Sequence, residues 1–223
     1  SMDIVLASRN RKKIAEMQEL LAEFAPGGVK VLSLDDIGLR GEIEENGNSF
    51  EENSFIKACA AARLGYFGIA DDSGLCVGAL GGRPGIFSAR YSGENANDRS
   101  NNDKLLSELE YVPDSERGAH FVCVVTCALP QNMSDVLIPA EYAGFSSDDG
   151  IRSFYVRGEA YGSILRAGRG ESGFGYDPLF LSEEKNRTFA ELTDKEKNGI
   201  SHRGKAMRAF CGVFADIMKG ISC

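Results

Sequence analysis

An apolar run, Ile4-Val5-Leu6-Ala7, opens the chain, and after the polar Ser8-Arg9-Asn10 the apolar residues recur as Ile14, Met17, Leu21 and Phe24. A short run followed by three-to-four spacing predicts a strand, a short loop and a helix. Either Ser8 or Asn10 is placed to cap that helix, and Pro26-Gly27-Gly28 stops it. Val29 to Leu34 reads as a second strand. Ser49-Phe50-Glu51-Glu52 has the pattern of a capping box, with Ser49 as the cap and Glu52 reaching back, and it opens a helix running to about Leu64, with Gly65 as its stop. Phe67 to Ala70 reads as a short buried strand that ends in Asp71-Asp72-Ser73-Gly74. Leu105, Leu106 and Leu109 give Asp98–Glu110 a helical face, and the β-branched, apolar stretch from Phe121 to Leu129 predicts a central strand. Phe154 to Ile164 and Leu179 to Leu181 are further strands. Met207, Phe210, Val213 and Phe214 mark the inner face of a closing helix from Ala206 to Met218. Strands alternating with helices in this way predict an α/β fold.

Composition narrows the function more than the fold. A chain of 223 residues suits one large domain or two lobes. No apolar run approaches the roughly 18 residues of a membrane helix, and no basic segment followed by an apolar one opens the chain, so a cytoplasmic protein is expected. A net charge of −8 argues against nucleic acid and anionic membrane as partners, which need a basic surface. It leaves room for a small polyanion held by local cations and a metal. None of the six cysteines forms a C-x-x-C pair, and only His120 and His202 are at hand, so the composition speaks for reduced thiols and against zinc.

Three stretches carry candidate chemistry. Two adjacent acids, Asp71 and Asp72, at the end of an inner strand would stand at the sheet rim, where carboxylates coordinate Mg²⁺ or act as a general base; Asp, Ser and Gly are also common turn residues. Arg9, Arg11, Lys12 and Lys13 crowd the start of the first helix, where cations oppose the helix dipole, so both bound phosphate and plain surface charge account for them. Phe174-Gly175-Tyr176-Asp177-Pro178 sets aromatics between glycines, the composition of a packed turn or of a platform on which a planar base stacks. The acidic loop at Glu44-Glu45 lacks the helix-start role that explains Glu51 and Glu52. Gly199 to Ala206 imitates a phosphate loop but lacks the hydroxyl that would hold Mg²⁺, and no strand precedes it. The paired acids Asp148-Asp149, in the loop tip Ser146–Gly150, read as solvated.

In series these motifs resemble the inosine triphosphate pyrophosphatase family, the non-canonical purine nucleoside triphosphate pyrophosphatases. The matching residues are Ser8-x-Asn10-x-x-Lys13-x-x-Glu16, Ser49-Phe-x-Glu52-Asn53 with Lys57, Ala70-Asp-Asp-Ser-Gly-Leu75, Leu80-Gly-Gly-x-Pro-Gly85 and Ser88-Ala-Arg-Tyr91. They continue with Phe174-Gly-Tyr-Asp-Pro178, Glu191-Leu-Thr, Glu196-Lys197 and Ile200-Ser-His-Arg-Gly204. The resemblance implies a single domain over residues 1–223: a long twisted mixed sheet flanked by helices, with two lobes, a central cleft and an inserted loop at about 131–153 that is longer than in typical relatives. It implies a cytoplasmic homodimer that hydrolyses ITP, dITP and XTP to the monophosphate and pyrophosphate with Mg²⁺, removing deaminated purines from the nucleotide pool. Carried over residue by residue, Glu44 and Asp72 hold the metal, with Glu45 as a less favoured substitute, and Asp72 is also the general base. Ser8, Arg9, Asn10, Arg11, Lys12, Lys13 and Ser73 bind the triphosphate. Phe174, Gly175, Tyr176, Asp177, Lys197, His202 and Arg203 frame the base. Position 9 is Arg where relatives often carry Gly. Two rivals remain: a Maf-like pyrophosphatase acting on pyrimidine or modified nucleotides, and a nucleotide sensor without catalysis.

Overall fold

A computed structural model describes residues 2–24, 28–131, 133 and 135–221. Pro26 and Gly27, expected to stop the first helix, and Cys223 lie outside the described residues. Six strands form a mixed sheet in the order β2-β1-β3-β4-β5-β6: β1 (Met2–Leu6), β2 (Val29–Leu32), β3 (Phe67–Val77), β4 (Gly118–Ala128), β5 (Ser153–Ile164) and β6 (Phe180–Ser182). Among the described residues five α-helices accompany them: α1 (Arg11–Phe24), α2 (Phe50–Ala62), α3 (Asp98–Glu108), α4 (Asp194–Ile200) and α5 (His202–Lys219). This is the α/β architecture expected from the alternation of patterns. No helix among the described residues is long and apolar enough to cross a membrane.

The chain divides into two compact units. The first holds residues 1–72, 124–156 and 206–223. In it β1 runs parallel to both β2 and β3, pairing Ile4 with Val31 and with Phe67. Asn10, not Ser8, caps α1: its side-chain oxygen accepts the N–H groups of Lys12 and Lys13 at 3.0 and 3.3 Å. Ser49 caps α2 as expected, accepting the N–H of Glu52 at 3.0 Å. Glu52 reaches one residue further back than a capping box requires and takes the N–H of Asn48, also at 3.0 Å. One close approach fixes where α2 lies. A Cβ on Gly68 of β3 would stand 2.1 Å from the carbonyl oxygen of Ala58. Only glycine lets the helix backbone come down on the strand there, with Phe55, Ala58, Cys59 and Ala62 packed against Ala70. Gly68→Ala must push the helix off the strand, because the obstructing atom is backbone. The expected cost is about 3 kcal/mol, the upper range for overpacking, read as a shift of the denaturation midpoint; an unshifted midpoint would contradict this packing.

The expected loop tip at 146–150 is exposed, but Asp149 is an anchor. Arg63, just past the end of α2, donates to Asp149 Oδ2 at 3.0 Å, Gln131 donates to its carbonyl at 2.8 Å, and Phe145 stacks on Phe55 of α2. The guanidinium hydrogen bond holds the Asp149 carboxyl down at about 2.

The second unit holds residues 73–123 and 157–205. Its core joins Leu75, Leu105, Leu109, Phe121, Leu179, Phe180 and Phe189, with the Phe121 ring stacked on Phe189 and tilted against Phe180. The charged segment after Leu192, not assigned an element from its pattern, is the helix α4. Thr193 and Glu196 exchange side-chain and backbone hydrogen bonds as a capping box, a signal present in the sequence as T-x-x-E. The mimic of a phosphate loop dissolves for a physical reason. Gly199 and Ile200 finish α4, and the buried Ser201 accepts the N–H of Gly204, so α5 starts four residues earlier than its apolar face suggested.

Candidate active site

The first group of chemistry-bearing residues lies in the first unit. Asp71 and Asp72 do not end a strand: β3 runs on through them to Val77. What ends there is β1, at Leu6, whose last partner on β3 is Ile69. The acids are therefore beyond the carboxyl end of the neighbouring parallel strand, where α/β sheets bind ligands, and the rim expected of β3 is formed by β1. Asp-Ser-Gly stays extended here instead of turning because β3 is an inner strand of the sheet, and its acids find cations. Successive residues of a strand face opposite ways. The Lys13 ammonium of α1 meets Asp71 at 3.3 Å, and the Lys57 ammonium of α2 meets Asp72 Oδ1 at 3.7 Å. Lys57 also donates to the backbone carbonyl of Asp71 at 2.5 Å and pairs with Glu45 at 3.0 Å. Gly68 is on the face of β3 that carries Ala70 and Asp72, so its contact with Ala58 sets Lys57, the adjacent residue of α2, over the acid.

Charge is unbalanced in this cluster. Two ammonium groups, Lys13 and Lys57, face three carboxylates, Glu45, Asp71 and Asp72, for a net of −1. Burial works against the Lys57 charge, but Asp72, Asp71 and Glu45 outweigh it and its pKa rises. Asp72 bears the excess. Burial, opposed by Lys57 and reinforced by Glu45 and Asp71, pushes its carboxyl up to about 7. Its Oδ2 is buried and, among the described residues, has no hydrogen-bond partner. A buried carboxylate oxygen without a donor is costly. A net-negative set of hard oxygen donors with one oxygen left over suits a hard divalent cation such as Mg²⁺, which needs only one or two carboxylates besides waters and phosphates. No group of three or more His, Cys, Asp or Glu suited to a metal occurs among the described residues.

The remaining expected residues of this unit separate into two kinds. Arg9 is spent on structure: it pairs with Asp35 at 3.1 Å and donates to the carbonyls of Leu39 and Gly41 at 2.8 and 2.7 Å. Arg11 reaches Asp36 at 3.3 Å. These bonds tie down the 35–41 loop and explain two of the cations that opposed the α1 dipole. Lys12 is exposed, and Ser8 accepts the N–H of Asn10 at 3.0 Å. Glu44 is exposed and makes no ion pair among the described residues; Glu45, beside it, is the acid drawn to Lys57. Lys57, present in the sequence only as part of the motif that begins at Ser49, is the cation that gathers these acids. Its signal is a single lysine in the otherwise uncharged run Asn53–Ala62.

The second group lies in the second unit. Gly173 and Gly175 have φ of +77° and +61°, the left-handed region, and they turn the loop so that Phe174 projects, 72% exposed. The loop is held from within by Asp177, 3% exposed, whose Oδ2 accepts the N–H of Phe174 at 3.1 Å and the ammonium of Lys197 at 2.5 Å. Burial raises the Asp177 carboxyl and Lys197 pulls it back. The same ammonium lies 4.5 Å from the centroid of the Phe174 ring. Tyr176 is buried and donates to the carbonyl of Ser88 at 2.6 Å, so it supports the loop from below. His202 stacks on Phe121 with centroids 4.6 Å apart, at the first turn of α5, and Arg203 follows it, part-buried. Ser73, half-buried in β3, belongs to this unit.

Comparison with known proteins shows the family. Residues 4–213 match the model of the Ham1 family. The chain is 42% identical over 224 residues to a dITP/XTP pyrophosphatase of Clostridium perfringens, covering 97% of each, and 45% identical over 205 residues to one of Geobacter sulfurreducens, covering 92% of each. Among solved structures it is similar to a HAM1 protein from Coxiella burnetii, with 41% identity and a TM-score of 0.82 over 97% of this chain and 100% of that one. It is also similar to the Ham1 protein of Staphylococcus aureus, with 36% identity and a TM-score of 0.80 over 95% and 97%. With sequence, fold and family model agreeing from Ile4 to Val213, the chain belongs to the Ham1 family.

Proposed function

We propose that this protein is a nucleoside triphosphate pyrophosphatase that hydrolyses non-canonical purine nucleotides, ITP, dITP and XTP, to the monophosphate and pyrophosphate. The observation that carries the reading is the acid cluster at Lys57. A buried carboxylate with an unsatisfied oxygen and a pKa near 7 is a poor way to stabilise a fold and a good way to move a proton at neutral pH. The names of the relatives agree with it.

The residues divide the work. Asp72 takes the proton of the water that attacks in line at the α-phosphorus, and the bond to the bridging oxygen of the departing pyrophosphate breaks. An ordinary carboxylate near 3.9 is a weak base for that task; desolvation raises Asp72 in the metal-free protein, a bound cation would lower it again, and positioning of the water does the rest. Lys13 and Lys12 meet the phosphate oxygens as charged donors, and Asn10, Ser8 and Ser73 as neutral ones. Arg9 and Arg11 hold the neighbouring loop in shape for them. Asp72 and Glu44, which makes no ion pair among the described residues, would hold Mg²⁺, with Glu45 as the less favoured substitute. The bound ion supplies charge neutralisation on the phosphates.

At the base end, the open face of Phe174 stacks on the purine. Lys197, His202 and Arg203 present donors, which accept the 6-carbonyl of hypoxanthine or xanthine and meet the 6-amino group of adenine donor against donor. Each mismatch of that kind costs about 1–3 kcal/mol, so a pair of them separates the substrates by about thirtyfold or more. The enzyme works as a homodimer in the cytoplasm. Pyrophosphate release from ITP, XTP, dUTP and ATP with Mg²⁺ tests the reading: ITP and XTP are turned over at least about thirtyfold faster than ATP and dUTP. Preferred turnover of dUTP would support a Maf-like enzyme, and tight binding of ITP without product a sensor. In Lys197→Ala, kcat/KM falls at least tenfold for ITP and little for ATP; an equal loss for both would contradict the role of Lys197 in reading the base.

A further inference from the structure

The Phe174 loop is gripped from a second element. Asp98, the first residue of α3, accepts the N–H of Gly175 at 2.8 Å through Oδ2. One turn further along the helix, Asn102 donates its side-chain N–H to the carbonyl of the same Gly175 at 3.0 Å. Both ends of one residue's backbone are thus held from α3, next to an aromatic ring that is largely exposed. Gly175 at φ +61° has no side chain with which to anchor itself. The helix is in turn fixed by the reciprocal Asn97–Ser100 cap and by Asn101, whose amide donates to the carbonyl of Ala89 at 3.0 Å. Asp98 also adds to the upward pressure on the Asp177 carboxyl, so the two acids flank the same short turn.

This arrangement is more than a turn needs. Asp177 alone closes the loop from within, through the N–H of Phe174. Asn102 keeps its own Oδ1 buried without a hydrogen-bond partner among the described residues, a cost of about 1–3 kcal/mol, while its amide group serves Gly175. A polar side chain held at that cost is explained by what it positions. We infer that Asp98 and Asn102 are positioning residues that fix the Phe174 ring as a rigid stacking platform for the purine, and so set the affinity for the base without touching it. The inference rests on the assignment of Phe174 to base stacking. Preorganising the ring lowers the ordering cost at binding, so the clamp acts on KM and leaves the chemistry at Asp72 alone.

The chain contains no tryptophan, which makes Phe174→Trp a single-tryptophan reporter, excited at the red edge of the spectrum where the seven tyrosines do not absorb. In that background, Asp98→Ala with Asn102→Ala lowers the fluorescence anisotropy of the tryptophan and raises its quenching by acrylamide, at an unchanged melting temperature of the remaining fold. In the natural background the same pair of substitutions raises KM for ITP about tenfold and leaves kcat within twofold. Asp98→Asn, which keeps an oxygen to accept the Gly175 N–H, stays near the parent enzyme. Added to Phe174→Ala, the pair raises KM no further. Unchanged anisotropy, a fall in kcat at constant KM, or an equal rise in KM in the Phe174→Ala background would each overturn the clamp. The single substitutions Asp98→Ala and Asn102→Ala give the same readout if the pair does not fold. Should Phe174→Ala itself leave KM for ITP unchanged, the stacking assignment falls and the clamp with it. If Phe174→Ala raises KM and the α3 variants do not, the clamp alone falls.

Discussion

Asp72→Asn abolishes turnover and spares binding. The substitution keeps the shape of the side chain and removes its ability to take a proton, so kcat for ITP falls about 10³-fold or more, within the range of a lost general base reinforced by weakened electrostatics. Affinity for ITP without divalent metal, measured by calorimetry on the inactive protein, changes by only a few-fold, because Lys12, Lys13 and the Phe174 platform are untouched. Stability moves the other way. Asp72 is the excess carboxylate of a net-negative cluster, and its Oδ2 is buried without a donor. A neutral amide removes the excess charge, so the variant melts no lower than the parent, the usual exchange of stability for activity at a functional residue. Turnover close to that of the parent would remove Asp72 as the base.

Lys57→Met is the opposite case. Lys57 is 19% exposed and holds Glu45, Asp72 and the backbone carbonyl of Asp71. Its loss leaves three carboxylates with Lys13 as their remaining paired ammonium group. Breaking a buried pair from one side costs about 3–5 kcal/mol, which the expected denaturation midpoint shows directly. Activity collapses as well, since Asp72 loses the charge that opposes its protonation. The double variant Lys57→Met with Asp72→Asn recovers part of the lost stability, because removing both partners is milder than stranding one. A single variant as stable as the parent would show that the cluster is not electrostatically coupled.

Periodicity made the framework of this fold legible. The three-to-four spacing of Ile14, Met17 and Leu21 and the unbroken apolar run of β4 each gave one element, and local caps at Asn10 and Ser49 marked where helices begin. What local patterns missed was decided by partners distant in sequence. Asp71-Asp72-Ser73-Gly74 reads as a turn until Lys13 and Lys57 are brought to it, and then it is the middle of a strand. Arg9 reads as a phosphate ligand until Asp35, Leu39 and Gly41 claim its guanidinium. Helix α4 hid behind its charge, although Thr193 and Glu196 spelled its cap. In the candidate site, residue types were readable and pairings were not. Whether Glu44 or Glu45 meets Lys57, and whether Lys197 faces solvent or the buried Asp177, depends on backbone direction that no short window contains.

The central claim is that the unsatisfied oxygen of Asp72 is a cation site. Manganese(II), whose paramagnetic signal is lost on binding, titrates it directly in the protein without nucleotide. The account predicts that Asp72→Asn weakens manganese binding at least tenfold and that Glu44→Gln weakens it more than Glu45→Gln. Equal manganese affinity in the parent and in Asp72→Asn would contradict it.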